Sequence, residues 1–308
     1  MASDMKSILR RVYYLPQNIR RNFAKKLKEP DFAGTYFEGG LGSQLLAYIE
    51  YENKKKTFES QANADTSYFI EDRVFTHESG LVHWRWRLDH YGITLQRFNE
   101  EKPAMQEKTS LRRPTNQERQ KFCLSNNIFS VSSEILYQLP VKSTPLERSE
   151  IFFSGVETSE YGVVHIRKGD YLKVASRVIK VSEVIRTLEI LKNDLPPTLV
   201  FVSDGEIGES EKNQIKEAID GEKKTTSVKF FDSTYPVVDE TLVHDLMRCA
   251  QLLITSNSTF SLSAGLLNVR SDKRVLIPIT FFGESDQELN AIFRNLATFA
   301  IMDEEYPQ

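Results

Sequence analysis

The sequence predicts an α/β fold built on a parallel sheet, on three observations. From about residue 150 onward, apolar strand-like runs alternate with segments of helical spacing. Those strand runs, such as Tyr161–Ile166 and Thr198–Ser203, are nearly continuous in apolar residues, as strands buried on both faces are. The 308 residues are 40% hydrophobic and 11% aromatic, enough to build cores of ordinary domain size. Alternation of this kind implies βαβ units with right-handed crossovers.

Taken in order, the chain opens with a basic segment. Between Met5 and Lys28 stand eight Lys or Arg and no acidic residue, interleaved with Ile8, Leu9, Val12, Tyr13, Tyr14, Leu15, Ile19 and Phe23. Pro16 would interrupt a single helix there. The pattern suits either an amphipathic segment lying on an anionic membrane surface or an arm packed on the body. A short β-like stretch at Tyr36-Phe37 then enters the glycine-rich turn Glu38-Gly39-Gly40-Leu41-Gly42-Ser43-Gln44, and a helix-competent run follows. Residues 66–74 read as strand, as do 83–87, where aromatic and basic residues alternate. Residues 99–121 are polar, with two prolines, and read as loops or exposed helix. Short strands are expected at 127–132 and 135–139, and 140–149 reads as a linker.

In the second half, Tyr161–Ile166 is the first strand. A helix is expected over 182–195, capped by Ser182 and stopped by Pro196-Pro197. Strand Thr198–Ser203, helix Glu209–Ile219 and strand Ser227–Phe231 come next. A helix over 239–250, a strand over 252–255, a helix over 258–267, strand Arg274–Pro278 and a last helix over 286–293 complete the series. The resulting division is a basic segment at 1–30, an N-terminal α/β domain at 31–145 and a C-terminal Rossmann-like domain at 150–308.

Composition excludes several classes. The formal net charge of -3 gives no general attraction for nucleic acid. Two cysteines, Cys123 and Cys249, cannot make a disulfide framework or a cysteine-rich metal site. There is no run of 18 apolar residues and no apolar stretch of signal-peptide length, so a cytoplasmic protein is expected. No phosphate-binding Gly-x-x-x-x-Gly-Lys-Ser/Thr loop occurs, and Gly40-Leu41-Gly42-Ser43-Gln44-Leu45 breaks the dinucleotide fingerprint at its third glycine. Neither His-Glu-x-x-His nor Asp-x-Asp occurs, so the usual short metal motifs are missing. His83 and His90 read as surface or packing residues.

In an open parallel sheet, ligands bind beyond the carboxyl ends of the strands. The first C-terminal strand ends in His165-Ile166-Arg167-Lys168-Gly169-Asp170, two cations followed by a flexible glycine and a carboxylate. An Arg fork matches phosphate oxygens, and Asp170 could orient that fork or act on substrate. The second strand ends in Ser203-Asp204-Gly205. Asp204 could accept from ribose hydroxyls or serve as an ordinary cap or turn residue. After the strand at 252–255 comes Ser256-Asn257-Ser258-Thr259-Phe260-Ser261, in which five of six side chains are hydroxyls or an amide. A helix follows at once, and its unpaired N–H groups favour an anion. With Arg167 on a neighbouring strand, this suggests a diphosphate held from two sides.

His165–Asp170 resembles the His-x-Arg-Arg-Gly-Asp motif of the α-1,2-fucosyltransferases, glycosyltransferase family 11. The stretch His244-Asp245-Leu246-Met247-Arg248-Cys249 with Ser256–Ser261 is similar to that family's second C-terminal block, and Gly39–Gln44 to its N-terminal Gly-rich segment. Val200–Gly205 also matches in kind. The departures are Lys168 in place of a second Arg, Ser43 in place of Asn, and Leu262-Ser263 where two Trp are frequent.

The resemblance implies a GT-B-like architecture of two Rossmann-like α/β domains, with the donor in the cleft between them. It implies GDP-fucose as donor, a glycan hydroxyl as acceptor, inversion, and no cofactor or metal. Residues 31–145 would then be the acceptor side and 150–308 the nucleotide-sugar side. By position, Gly39, Gly40, Gly42, Ser43, His165, Arg167, Lys168, Asp204, Asp245, Ser256, Asn257, Ser258, Thr259 and Phe260 would surround the donor. Arg167, with Asp170 or Glu38 as base, would carry the chemistry. An α-1,2 linkage and a role in surface polysaccharide synthesis at the inner face of a membrane are the implied setting. A transferase for another GDP-linked 6-deoxyhexose, or a non-catalytic nucleotide-sugar-binding protein, are the alternatives.

Overall fold

The computed structural model describes residues 34–58, 63–66, 75–77, 80–82, 86–95, 134–135, 139–142, 160–169, 179–220, 226–234, 239–278 and 299–302. The basic segment at 1–30, the loops at 99–121, the strand at 127–132, the helix at 286–293 and Asp170 lie outside these residues.

Strands β5 (Tyr161–Ile166), β6 (Thr198–Ser203), β7 (Ser227–Phe231), β8 (Leu252–Ile254), β9 (Arg274–Pro278) and β10 (Phe299–Met302) form one sheet, ordered β10-β9-β8-β5-β6-β7. Every pairing in it is parallel. Numbered from β5, that is the 3-2-1-4-5-6 order of a doubly wound Rossmann sheet, and the strand order reverses between β5 and β8.

The strands are apolar on both faces because both faces are covered. Val163, Val200, Val202, Leu253, Val275 and Ile277 pack on one side, against helices α4 (Glu240–Arg248) and α5 (Thr259–Leu266). Their chain neighbours Val164, Leu199, Phe201, Leu252, Ile254 and Leu276 pack on the other, against α2 (Val181–Leu191) and α3 (Glu209–Ile219). This is the period-two alternation of a strand, with apolar residues required at every position.

In the N-terminal half, β1 (Gly34–Tyr36) and β2 (Asn63–Asp65) pair in parallel around α1 (Leu41–Phe58), a βαβ unit. A short hairpin joins β3 (Phe75–His77) to β4 (Gly80–Val82). The first half of α1 is buried nearly all round: Leu41, Leu45, Leu46, Ala47, Tyr48, Ile49 and Tyr51 are all under a tenth exposed. They continue the core cluster that covers the β5–β8 face, so α1 is wedged against α5. The fold is α/β, built on the parallel sheet that the sequence predicts.

Several local expectations change. The helix expected over 182–195 runs only from Val181 to Leu191. Its cap is Lys180, in extended backbone with no side-chain hydrogen bond, not Ser182. The chain has already turned at Asp194, whose amide donates to the Leu191 carbonyl, so the prolines follow the helix end rather than make it. The stretch expected as strand at 135–139 is helical at Glu134 and Ile135, and the Leu139 amide donates back to the Ile135 carbonyl. Residues 86–87, expected as strand, lead instead into a 3-10 turn at Leu88–Tyr91. β10 was not expected.

Candidate functional site

The site forms at the reversal point because of strand register. Ile166 stands opposite Ser203, so Arg167 and Asp204 leave the sheet side by side. On the other flank Val164 stands opposite Ile254, so His165 and Ile166 end level with Thr255 and Ser256. The two strand tips that sequence reading marked as phosphate-binding are therefore immediate neighbours across the reversal.

Asp204 divides its carboxylate between two tasks. Oδ1 accepts from the amides of Lys168 (2.7 Å) and Gly169 (3.1 Å). Oδ2 lies 2.8 Å from Nη1 of Arg167. The Lys168 side chain turns the other way, onto the Glu211 carboxylate at the start of α3. Glu211 also accepts from the Gly208 amide at 2.8 Å, which satisfies the N-cap N–H of that helix.

Across the reversal, α5 begins in a dense polar cap. Ser258 is its N-cap, accepting from the Phe260 amide. The Ser261 hydroxyl bridges back to the carbonyls of Ser256 and Ser258. Ser256, Ser258 and Ser261 are buried, and the Oδ1 of Asn257 is enclosed without a hydrogen-bond partner among the described residues. His165 Nδ1 lies 2.8 Å from the Ser256 hydroxyl and ties the two strand ends together. Burial, and then the neighbouring Arg167 charge, push the His165 imidazole down to about 4, so it is neutral at physiological pH.

The N-terminal half closes this site with a second helix start. Glu38 follows β1 and is buried. Gly39 takes φ +73°, a left-handed turn that glycine adopts without strain, and Gln44 anchors it by donating to the Gly39 carbonyl at 2.8 Å. Gln44 Oε1 accepts from the Arg87 amide at 2.9 Å, so the buried amide clamps two segments. The first turn of α1 then meets the first turn of α5: Ser43 Oγ lies 3.3 Å from Thr259 Oγ1, and Gly42 rests against the Phe260 backbone. Neither helix carries an acidic residue in its first turn, so no carboxylate there offsets the two positive dipole ends that meet.

Of the residues expected to surround a donor, the structure thus brings together Gly39, Gly42, Ser43, His165, Arg167, Asp204 and the Ser256–Phe260 turn. Gly40 lies in the same turn, its carbonyl accepting from the Gln44 amide. Lys168 reaches Glu211 instead. Asp245 is 0% exposed, and accepts from the Lys142 amide at 3.1 Å and from Arg248 at 3.3 Å. Arg248, also fully buried, donates to the carbonyls of Leu139, Pro140 and Leu267. Sequence reading missed Tyr91, and named His244 only within the His244–Cys249 stretch, with no role of its own. Tyr91 Oη is 2.8 Å from His244 Nδ1, whose Nε2 is 3.0 Å from the Ser263 hydroxyl. The Phe260 ring lies between His244 and His165, with centroids at 5.3 and 6.0 Å. Nothing short of the fold brings residue 91 to residue 244.

No family model matches the chain, and no characterised protein matches it in sequence. The likeness to family 11 therefore rests on the motifs alone. Among solved structures, the chain is similar to POFUT1 in complex with GDP-fucose at 10% identity, over 82% of this chain and 99% of that one, with a TM-score of 0.43. A POFUT1–GDP structure matches at 15% identity and TM-score 0.35, over 47% of this chain and only 50% of that one. The UDP-GlcNAc 2-epimerase of Methanocaldococcus jannaschii matches at 14% identity, over 92% of this chain and 68% of that one, with a TM-score of 0.34. At such identities and scores the likeness says nothing of what this chain binds. Among the described residues, no helix is long and apolar enough to cross a membrane.

Proposed function

We propose that the chain is an inverting fucosyltransferase that moves fucose from GDP-fucose to a glycan hydroxyl without a metal ion. The observation that carries this is that Arg167 and the start of α5 follow neighbouring strands at the reversal point of the sheet, with the start of α1 against that of α5 and no acidic residue in the first turn of either helix. A site of that make-up favours a diphosphate, and the motifs that build it are those resembling family 11.

In transfer, the bond between the anomeric carbon and the β-phosphate oxygen breaks through an oxocarbenium-like state. Negative charge gathers on the departing β-phosphate, where the Arg167 fork and the first N–H groups of α5 would stabilise it. The acceptor oxygen bonds to the opposite face of that carbon, and its proton passes to a carboxylate. Glu38, beside the glycine turn, and Asp170 are the two candidates. The 31–145 region would present the acceptor, and the basic segment at 1–30 would hold the enzyme near lipid-linked surface polysaccharide precursors, with an α-1,2 linkage as product.

The test is transfer from GDP-fucose to a panel of glycans by the full chain in excess EDTA. Arg167→Ala should lower turnover by roughly 10²–10³-fold, the usual effect of removing one such donor. Turnover that vanishes with chelator and returns with a divalent ion, or survives Arg167→Ala intact, would overturn the proposal.

A further inference from the structure

The residue that most strongly shapes the arginine site is one that sequence reading assigned to the nucleotide. We propose that Asp204 does not contact the donor but is a positioning residue, which holds the Arg167 guanidinium in place for a diphosphate. This rests on the reading above, because it takes Arg167 to be a phosphate ligand.

Three observations place Asp204 in that role. Its Oδ2 is already engaged, 2.8 Å from Arg167 Nη1. Its Oδ1 is engaged as well, by the consecutive amides of Lys168 and Gly169, so the same carboxylate fixes both the loop that carries Arg167 and the fork at its end. An ionised carboxylate holding two N–H groups and a guanidinium has little acceptor capacity left for a ribose hydroxyl. The packing also reserves the place: a Cβ at Gly169 would stand 2.4 Å from Asp204 Oδ2, so a side chain there displaces the very oxygen that holds Arg167. On the far side, the Lys168 side chain is drawn onto Glu211, which pins the loop from outside the site. An Arg side chain has many rotamers, and freezing it before binding removes an ordering cost that the ligand would otherwise meet. The fork–fork geometry of Arg makes that orientation matter more than it would for Lys.

The two roles separate in a double-mutant cycle, read by calorimetric titration of the full chain with GDP. Asp204→Asn keeps an acceptor for the two amides and removes the charge that orients Arg167. It should weaken GDP binding on the order of tenfold in the native background. In the Arg167→Ala background the same change should alter affinity by no more than about twofold, since the group being positioned is gone. Gly169→Ala disturbs the contact from the other side, through a flexible side-chain end, and should reproduce this non-additive loss. Thermal unfolding of each variant shows that it is folded. Losses that add, with Asp204→Asn costing as much without Arg167 as with it, would show a direct donor contact and overturn the positioning role alone. A native chain that binds no GDP would overturn the functional reading and this inference with it.

Discussion

Gly42 and Phe260 touch backbone to backbone: a Cβ on Gly42 would lie 2.4 Å from the Phe260 amide nitrogen and 2.5 Å from its Cα. The contact exists because two helices that begin 218 positions apart in the chain point their first turns at one spot. Only a residue without a side chain lets them come that close.

Gly42→Ala should therefore push the starts of α1 and α5 apart. The neighbouring atoms are main chain and cannot swing aside. An overpacked contact of this kind costs about 1–3 kcal/mol. The expected result is a lower melting temperature together with weaker GDP binding, since the Ser43–Thr259 contact of 3.3 Å opens as well. Gly92 has open space around its Cα but takes φ +68°, so Gly92→Asn is the matched control and should be mild.

Two buried histidines make stability fall on mild acidification. His165 is held down to about 4 by burial and then by Arg167, and His244 well below its ordinary value by burial and then by Arg248. The unfolded chain, where a histidine titrates near 6.5, binds these protons first. Their contribution is thus complete above about pH 6.5 and is lost as the pH falls from there through the folded-state value, toward about 4 for His165. For His165 the loss is of order 3 kcal/mol over that window. Melting temperatures should stay level from pH 7.5 to about 6.5 and fall from there to pH 5, and His244→Gln should flatten that fall. A profile that is level across this range would refute the neutral pair.

Arg248 should prove structural. It is fully buried, pairs with Asp245 at 3.3 Å, and donates to carbonyls of Leu139, Pro140 and Leu267, so it ties the 139–142 stretch to the C-terminal sheet. Arg248→Met strands a buried carboxylate and three carbonyls, at a cost of about 3–5 kcal/mol. Urea unfolding measures it. The Asp245→Asn, Arg248→Met double variant should recover part of the loss, because the uncompensated charge is then gone.

The C-terminal sheet was legible because its physics is local. Strands covered on both faces must be apolar at every position, so Tyr161–Ile166 and Thr198–Ser203 stand out, and Asp239 and Ser258 mark their helix starts by capping. The three-residue strands β1 and β2 were too short to show a period, and β10 is a strand only because β9 lies beside it. In the site, the helix-start cluster at 256–261 showed itself as an excess of small polar residues. The Arg167–Asp204 pairing did not, since it depends on β5 and β6 lying in one register. Lys168 reads in the sequence as a phosphate ligand because it stands beside Arg167 at a strand end. Which way it turns is decided by Glu211, 43 residues on.

That orientation sets the last expectation. If Lys168 braces the loop against α3, Lys168→Met should cost stability and lower GDP affinity far less than Arg167→Ala does. A partly exposed ion pair is worth about 0.2–1 kcal/mol, so the change in melting temperature should be small. Glu211→Gln should cost more, because the same carboxylate also caps α3 through the Gly208 amide. The salt dependence of GDP binding separates this from direct contact. A lysine on the phosphates would leave the Lys168→Met variant with a visibly shallower dependence on ionic strength, whereas a lysine facing Glu211 leaves that slope as in the native chain.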